Sequence, residues 1–403
     1  MKAKRVQAPW PKEVWALFAS RLIDGVGYSM VLPFVTIFLN KDMGIGMALV
    51  GTILLMAALA NAIGNIVGGE LADKLGRKNV MTVSLILRGL VFFLLTLAII
   101  FPQDIVLITF LLALSYFFGA TFEPANNAMV ADIVPPGRRT EAYGLLRIGV
   151  NVGWVVGPIF GGILAVVSFA WIVLLAGLVS IISGVVLVFL VKETLPESVE
   201  KRPRFGLRTI WGMDHSFLFF CLMAFLMFLM AGQGTSTFSV FAEGAGGVNQ
   251  ILIGSMFAVN GLMVVLFQFP IARLEEGMRT TRVIAFGSLV YAVGFGMLIF
   301  CFDYWSLLLS MIVITTGEMI TAPLLMKAVA DLSPEAERGR YMGVFGLFLS
   351  FGWTVAPFFG GILMQAQTSW WQMWIPIAFL GVLSAIGFAL LGNMRTTPAT
   401  GKN

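Results

Sequence analysis

Of 403 residues, 59% are hydrophobic and 12% charged, where a soluble domain carries about 25% charged residues. The formal net charge is +5, but the basic residues sit in short loops between apolar runs, so the partner implied is a lipid bilayer and not nucleic acid. A single histidine, His215, gives no basis for a His-built metal site, and Cys221 and Cys301 fall inside apolar runs, where they read as small packing residues rather than a disulfide.

In chain order the apolar runs cover residues 14–39, 47–69, 80–101, 105–129, 143–167, 170–191, 216–241, 251–271, 283–302, 304–327, 341–364 and 371–391. Each is near the ~20 residues with which a helix crosses about 30 Å of hydrocarbon. The alternating strand-length segments of an outer-membrane barrel are missing. The expected fold is therefore an all-α membrane protein with twelve transmembrane helices. The first run follows Lys2, Lys4, Arg5 and Lys12. It is too long for a cleavable signal and is interrupted by Arg21 and Asp24, so it is expected to stay as the first crossing.

Twelve crossings put both termini on one side. Loops on that side hold 22 of the 26 basic residues, among them Lys74, Arg77, Lys78, Arg138, Arg139, Arg273, Arg279, Arg338 and Arg340; the opposite loops hold Lys41 alone. By the positive-inside rule the termini are expected to be cytoplasmic, in the cytoplasmic (inner) membrane. The longest loop, 192–215, is polar and basic. It divides the chain into an N-terminal six-helix bundle (1–191), a cytoplasmic linker (192–215) and a C-terminal six-helix bundle (216–403).

The two halves are related. At an offset of 199 residues, 124–164 aligns with 323–363 without a gap. Pro124 meets Pro323, Val130-Ala131-Asp132 meets Val329-Ala330-Asp331, and Arg139 meets Arg338. Gly153-Trp154 meets Gly352-Trp353, and Pro158 meets Pro357. Shared apolar composition would not align Asp, Arg, Trp, Pro and Gly together. Two pseudo-symmetric six-helix bundles are a transporter architecture, with substrate held near the midplane.

The loop after the second run reads Gly69-Glu70-Leu71-Ala72-Asp73-Lys74-Leu75-Gly76-Arg77-Lys78. Gly76 permits a tight turn, and Asp73 can pair with the cations that follow. This segment resembles the loop 2–3 signature of the major facilitator superfamily. The resemblance implies that the loop helps to latch the two halves in one conformation. The fifth run carries Gly144, Gly153, Gly157, Pro158, Gly161 and Gly162, whose helical spacing lets backbones approach closely. It resembles the antiporter signature of the same family, which implies a helix face that keeps the closed state from leaking. Gly317-Glu318, with Pro323 further along, and Phe267-Gln268-Phe269-Pro270 resemble segments of bacterial multidrug:proton antiporters, where the acid binds a proton or cation. In many of those antiporters an Arg stands four residues before a Gly on the fourth span. Here Ser115 precedes Gly119, so the proton route cannot be copied residue by residue.

Six ionisable residues fall inside apolar runs: Arg21, Asp24, Arg88, Glu123, Arg147 and Glu318. Each costs about 2.5–3.5 kcal/mol at a helix centre unless paired or hydrated. Asp24, Glu123 and Glu318 are the candidates for proton and substrate coupling, and Arg21, Arg88 and Arg147 are candidate charge partners. Helical spacing puts Tyr28 with Asp24, Asn126 or Asn127 with Glu123, and Asn151 with Arg147. An ion pair between Glu123 and Arg147 is expected. The resembled fold implies that spans 1, 4, 7 and 10 line a cavity, which would place Asp24, Glu123 and Glu318 along it. Gln233, Thr237, Asn260 and Gln268 are open to two readings, cavity donors or helix-packing groups.

No nucleotide-binding loop, metal cluster or nucleophile–base signature supports an enzyme or an ATP-driven pump. The expectation is a secondary transporter, with no cofactor and driven by a proton gradient, that exports lipophilic or cationic drugs as a monomer. A transporter of one metabolite or sugar is the alternative. A lipid-handling or sensor-like membrane protein is a third. Five of the six in-span charges, the intact Asp73 loop and the complete glycine signature lie in the N-terminal half, which is expected to dominate proton handling.

Overall fold

The structure is a computed structural model and describes residues 10–101, 104–135, 138–194, 213–274, 278–334, 338–366 and 369–394. Among the described residues it contains thirteen α-helices and no strand. They are α1 (Lys12–Ile37), α2 (Met47–Leu75), α3 (Arg77–Ile100), α4 (Ile105–Ile133), α5 (Arg139–Ala165), α6 (Phe169–Leu190), α7 (His215–Ala231), α8 (Thr237–Gly244), α9 (Gln250–Leu274), α10 (Thr280–Met297), α11 (Tyr304–Leu332), α12 (Arg338–Ala366) and α13 (Trp374–Met394). Twelve stretches are long and apolar enough to cross a membrane. A helix satisfies its own backbone hydrogen bonds, the condition for crossing hydrocarbon without water. Phe189 and Phe300 remain 80% and 77% exposed, as suits side chains whose surroundings are lipid rather than water.

The seventh span departs from its expected 216–241. α7 stops at Ala231, a short 3₁₀ turn covers Gly232–Gly234, and α8 begins at Thr237. Side chains in the break take over backbone acceptors: the Ser236 and Thr235 hydroxyls donate to the Gly232 carbonyl at 3.2 and 3.4 Å. The break falls on Gly232-Gln233-Gly234-Thr235-Ser236-Thr237, small and polar residues too few to end a span read from apolar length alone.

Two compact units are present. Unit 1 comprises Met1–Val31, Ala57–Gly157 and Ala170–Glu200; unit 2 comprises Leu32–Met56, Pro158–Phe169 and Lys201–Asn403. The boundaries cut α1, α2 and α5, whose far ends pack in unit 2 although they precede residue 191. Most of the linker expected over 192–215, residues 195–212, lies outside the described residues.

Within unit 1, α3 packs against α4 and α6, α2 against α4, and α5 against α1. Gly64 and Gly68 of α2 lie on the backbone of Phe117 and Thr121, and the Ser180 hydroxyl of α6 donates to the Leu85 carbonyl at 2.9 Å. Unit 2 repeats this adjacency with α10 against α11 and α13, α9 against α11, and α12 against α7. The repeat read in the sequence is thus also a repeat of helix neighbours. The core of unit 1 gathers Leu17, Met81, Leu85, Phe122, Met129, Val130 and Leu146 around the start of α1 and the C-terminal part of α4.

Unit 2 also holds the end of α2 remote from the Asp73 loop. A Cβ on Gly51 would lie 2.6 Å from the Pro357 carbonyl oxygen, Gly361 faces the backbone of Met47, and Gly162 that of Gln250. The Gln365 side chain accepts the Ala48 amide at 2.9 Å. At these positions helices α2 and α5 approach α12 and α9 backbone to backbone, which only missing side chains allow.

Candidate functional site

In unit 1, Asp24 of α1 forms an ion pair with Arg88 of α3, and their side chains are 17% and 7% exposed. The guanidinium also lies over the Phe92 ring, 5.3 Å from its centroid, and against Gly119 of α4, where a Cβ would stand 3.1 Å from Arg88 Cζ. Arg88 therefore fills the space at Gly119, on the same helix as the position where the resembled antiporters carry their own arginine. Tyr28, one turn after Asp24, meets Tyr116 and Trp154 edge-on, with ring centroids 6.1 and 6.2 Å apart. The result is a desolvated acid–base pair beside three aromatic rings.

A second pair joins Arg21 to Glu123 at 3.2 Å, with side chains 18% and 50% exposed. This corrects the expected Glu123–Arg147 pair. Gly149, Gly153 and Gly157 of α5 face α1, touching Phe18, Gly25 and Val26. Arg147 is two residues from Gly149, a rotation of about 200° at 3.6 residues per turn. It is carried away from α1, lies exposed, and makes no ion pair among the described residues. Asn127 is also exposed; its backbone carbonyl accepts the Tyr143 hydroxyl at 3.0 Å. The neighbour Asn126 is the buried one, and neither of its amide atoms has a partner among the described residues. Asn151 is half-buried.

The glycine signature divides in two. Gly153 and Gly157 press on α1 at Gly25, Val26 and Ser29, while the Ser29 hydroxyl donates to the Gly153 carbonyl at 3.0 Å. Pro158 and Gly162 pack instead within unit 2, where Gly254 of α9 faces the Pro158 carbonyl. Gly161 is buried there. Gly144 has open space around it, so the first glycine of the signature makes no close contact.

The Asp73 loop is a charge cluster closed on itself in unit 1. Gly76 sits at φ +100°, a conformation that disfavours any side chain. Arg77, 6% exposed, contacts Asp73 and Asp132 at 3.1 Å each and donates to the Ala72 carbonyl at 3.0 Å. Glu193 accepts the Arg77 and Asn79 amides at 2.8 and 3.4 Å, so a carboxylate caps the positive N-terminus of α3. Lys78 donates to the Val188 carbonyl at 2.8 Å, and Thr194 to Asp132 at 3.0 Å. Gly69 makes only ordinary contact, with Pro124. In the second half the counterpart of Asp132 is Asp331. It pairs with no described residue and instead lines a cavity of about 540 Å³ with Arg279, Thr280 and Thr281.

In unit 2, the Asn260 amide of α9 donates to the Thr315 hydroxyl at 2.8 Å and reaches half-buried Glu318 at 3.4 Å. Gln268 donates to the Met319 carbonyl at 3.0 Å. Gln233 and Thr237, both fully buried, brace the α7–α8 break: Gln233 donates to the Ala356 carbonyl at 2.8 Å and accepts from Thr237 at 2.8 Å. Their polar atoms are hydrogen-bonded within the protein. The sequence reading missed the partners Asp132 and Glu193. Asp132 carried a signal, since the Val-Ala-Asp triplet recurs in the second half. Glu193 stands among polar residues at a loop start and carried none.

The profile described as Major Facilitator Superfamily matches residues 17–249 and 245–403. Among curated relatives, a protein of Planococcus maritimus named Na(+), Li(+), K(+)/H(+) antiporter is 25% identical, over 95% of this chain and 96% of its own. The multidrug resistance protein MdtH of Salmonella arizonae is 23% identical over 93% and 92%. Among solved structures, a POT family transporter in complex with 5-aminolevulinic acid superposes with a TM-score of 0.78 at 13% identity, covering 96% of this chain and 97% of that one. The nucleoside transporter NupG gives 0.77 at 14%, covering 94% and 99%. At such identities the likeness is one of fold.

Proposed function

This chain belongs to the major facilitator superfamily, a multi-pass membrane transporter and not an enzyme, and we propose that it exports lipophilic cations in exchange for protons by alternating access. The observation that carries this reading is the Asp24–Arg88 pair beside Tyr28, Tyr116 and Trp154. A buried ion pair is weak evidence for stability, because desolvation offsets its attraction. In a membrane helix such charges mark ion pathways. The aromatic faces beside it suit a cation with an apolar body.

In this reading Asp24 alternates between partners. A proton neutralises its carboxylate and releases Arg88; a cationic substrate then competes for the same acid. Glu123, half-exposed beside Arg21, passes protons to and from water. Glu318, with Asn260 and Thr315, is the second-half acid. In one-for-one exchange of a proton for a monovalent cation no net charge crosses, so the pH gradient is the drive, about 1.4 kcal/mol for each tenfold difference in proton concentration. Neither nucleotide nor metal is required. The loop bias of basic residues supports an orientation with both termini in the cytoplasm of the inner membrane. We further propose that the chain works as a monomer.

The test is a pH gradient held in everted vesicles. Adding ethidium or another lipophilic cation should dissipate it, and Asp24→Asn should abolish the response. The relative named for alkali cations makes Na⁺, Li⁺ and K⁺ members of the same panel. A pH gradient untouched by every cation tested, or full coupled activity in Asp24→Asn, would overturn the reading.

A further inference from the structure

Lys41 is the lone basic residue in the loops opposite the termini, and nothing in the efflux reading uses it. It lies where α1 runs on into a π-helical turn, Phe38–Asp42. There its Nζ stands 3.3 Å from Oε2 of Glu243, at the end of α8. The Glu243 side chain is 12% exposed and that of Lys41 41%. The other carboxylate oxygen accepts the Gln250 side-chain amide, from the first turn of α9, at 2.7 Å. Glu243 is thus half-buried within unit 2, its side chain largely shielded, at the same end where α2 and α5 meet α12 and α9.

We propose that Glu243 is a proton-binding site whose occupancy holds this end of the transporter closed. Proton exchange there is with the face opposite the termini. Glu243 lies beyond the seventh span, and the other acid that acts on it, Asp42, is exposed.

The sign follows from the surroundings. Burial pushes the Glu243 carboxyl above the usual carboxylate range; Lys41 opposes this, Asp42 adds to it, and burial prevails. Among the described residues, the side chain that meets Glu243 besides Lys41 is the uncharged Gln250, while Trp370 packs at the adjoining Gly244 and Leu307 of α11 at Gly246. Were the end to open, Glu243 would face water and return toward its ordinary value. A proton binds more tightly to the state with the higher affinity, so protonation favours the closed packing and deprotonation favours opening. Lys41 makes the charged form tolerable while the end is closed. It sets the pH at which the site fills, rather than clasping the end shut.

A simple salt-bridge clasp makes the opposite forecast, so the two are separable. Spin labels at Leu49 of α2 and Ile251 of α9, in the full chain with Cys221 and Cys301 replaced by alanine, report the separation in lipid nanodiscs without substrate. The expected result is a shift toward the short distance on acidification in the wild type. Glu243→Gln, an uncharged isostere, should hold the short distance at every pH. Lys41→Met should move the midpoint upward by about one pH unit, the scale of losing one opposite charge. The proposal is overturned if the wild type shows no pH response, if Glu243→Gln keeps the wild-type response, or if both variants populate the long distance throughout. Because no substrate is present, a failed drug assay leaves this inference standing, and a failed distance assay leaves the role of Asp24 standing.

Discussion

Arg88 reaches Asp24 only by lying across the bare backbone of Gly119. The guanidinium carbon is 3.1 Å from where a Cβ on that glycine would stand, so the missing side chain on α4 is what seats the arginine of α3. Gly119 is a positioning residue for the ion pair.

Gly119→Val should therefore displace Arg88 while leaving helix α4 intact. The expected outcome is loss of substrate-dependent proton flux in everted vesicles, with the protein still inserted and monodisperse. Gly119→Ala, which asks the guanidinium to move by a few tenths of an ångström, should retain part of the flux. Equal flux in Gly119→Val and wild type would remove Gly119 from the mechanism.

Removing one member of the buried pair should cost more than removing both. Arg88→Leu leaves the Asp24 carboxylate in a poorly solvated site and should lower stability by about 3–5 kcal/mol. Asp24→Asn combined with Arg88→Leu should recover most of that loss, and neither variant should transport. Thermal unfolding in detergent, followed by tryptophan fluorescence, reads the first comparison. A double variant no more stable than Arg88→Leu alone would contradict it.

The spans were legible because hydrocarbon imposes a blunt requirement of about twenty apolar residues with internally satisfied backbones. The repeat was legible because Asp132, Arg139, Trp154 and Pro158 recur at one spacing. Charge partners were not. Helical spacing tells which residues share a face of one helix, as it did for Arg21, Asp24 and Tyr28. It does not tell which helix that face meets. Arg147 shows the limit: it stands on the span that follows that of Glu123 in the chain, yet the glycines that press α5 onto α1 rotate it away. The break at Gly232 was missed for a different reason: the small and polar residues from Gly232 to Thr237 are too few to interrupt a span read from apolar length.

Two glycines of one signature should behave differently. Gly153 lies on the Gly25–Val26 backbone, where a Cβ would come within 2.6 Å, while Gly144 has open space. Gly144→Ala should be neutral or stabilising by up to about 1 kcal/mol, the helix propensity gained. Gly153→Ala should force α1 and α5 apart, lowering both melting temperature and transport. Melting curves of the two variants side by side provide the check, and the idea fails if Gly144→Ala proves the more damaging.

Arg77 carries the Asp73 loop through geometry that lysine cannot copy. Its guanidinium serves Asp73, Asp132 and the Ala72 carbonyl at once, in three directions that a planar fork of donors supplies and a single ammonium does not. Hydrogen bonds to charged groups contribute about 1.5–3 kcal/mol each, though Asp73 is half-exposed to solvent and counts for less. Stability in detergent should therefore fall in the order wild type, Arg77→Lys, Arg77→Met. Glu193→Gln should fall between wild type and Arg77→Met, because its one remaining carbonyl oxygen can accept only part of what the carboxylate takes from the Arg77 and Asn79 amides. A double-mutant cycle between Arg77→Met and Asp132→Asn should return a coupling of about 0.5–3 kcal/mol. The same cycle between Arg77 and Asp331 should return none, since the described ion partners of Arg77 are Asp73 and Asp132. Coupling to Asp331 as large as that to Asp132 would show that the two copies of the Val-Ala-Asp triplet do the same work, and would contradict the division of labour between the halves.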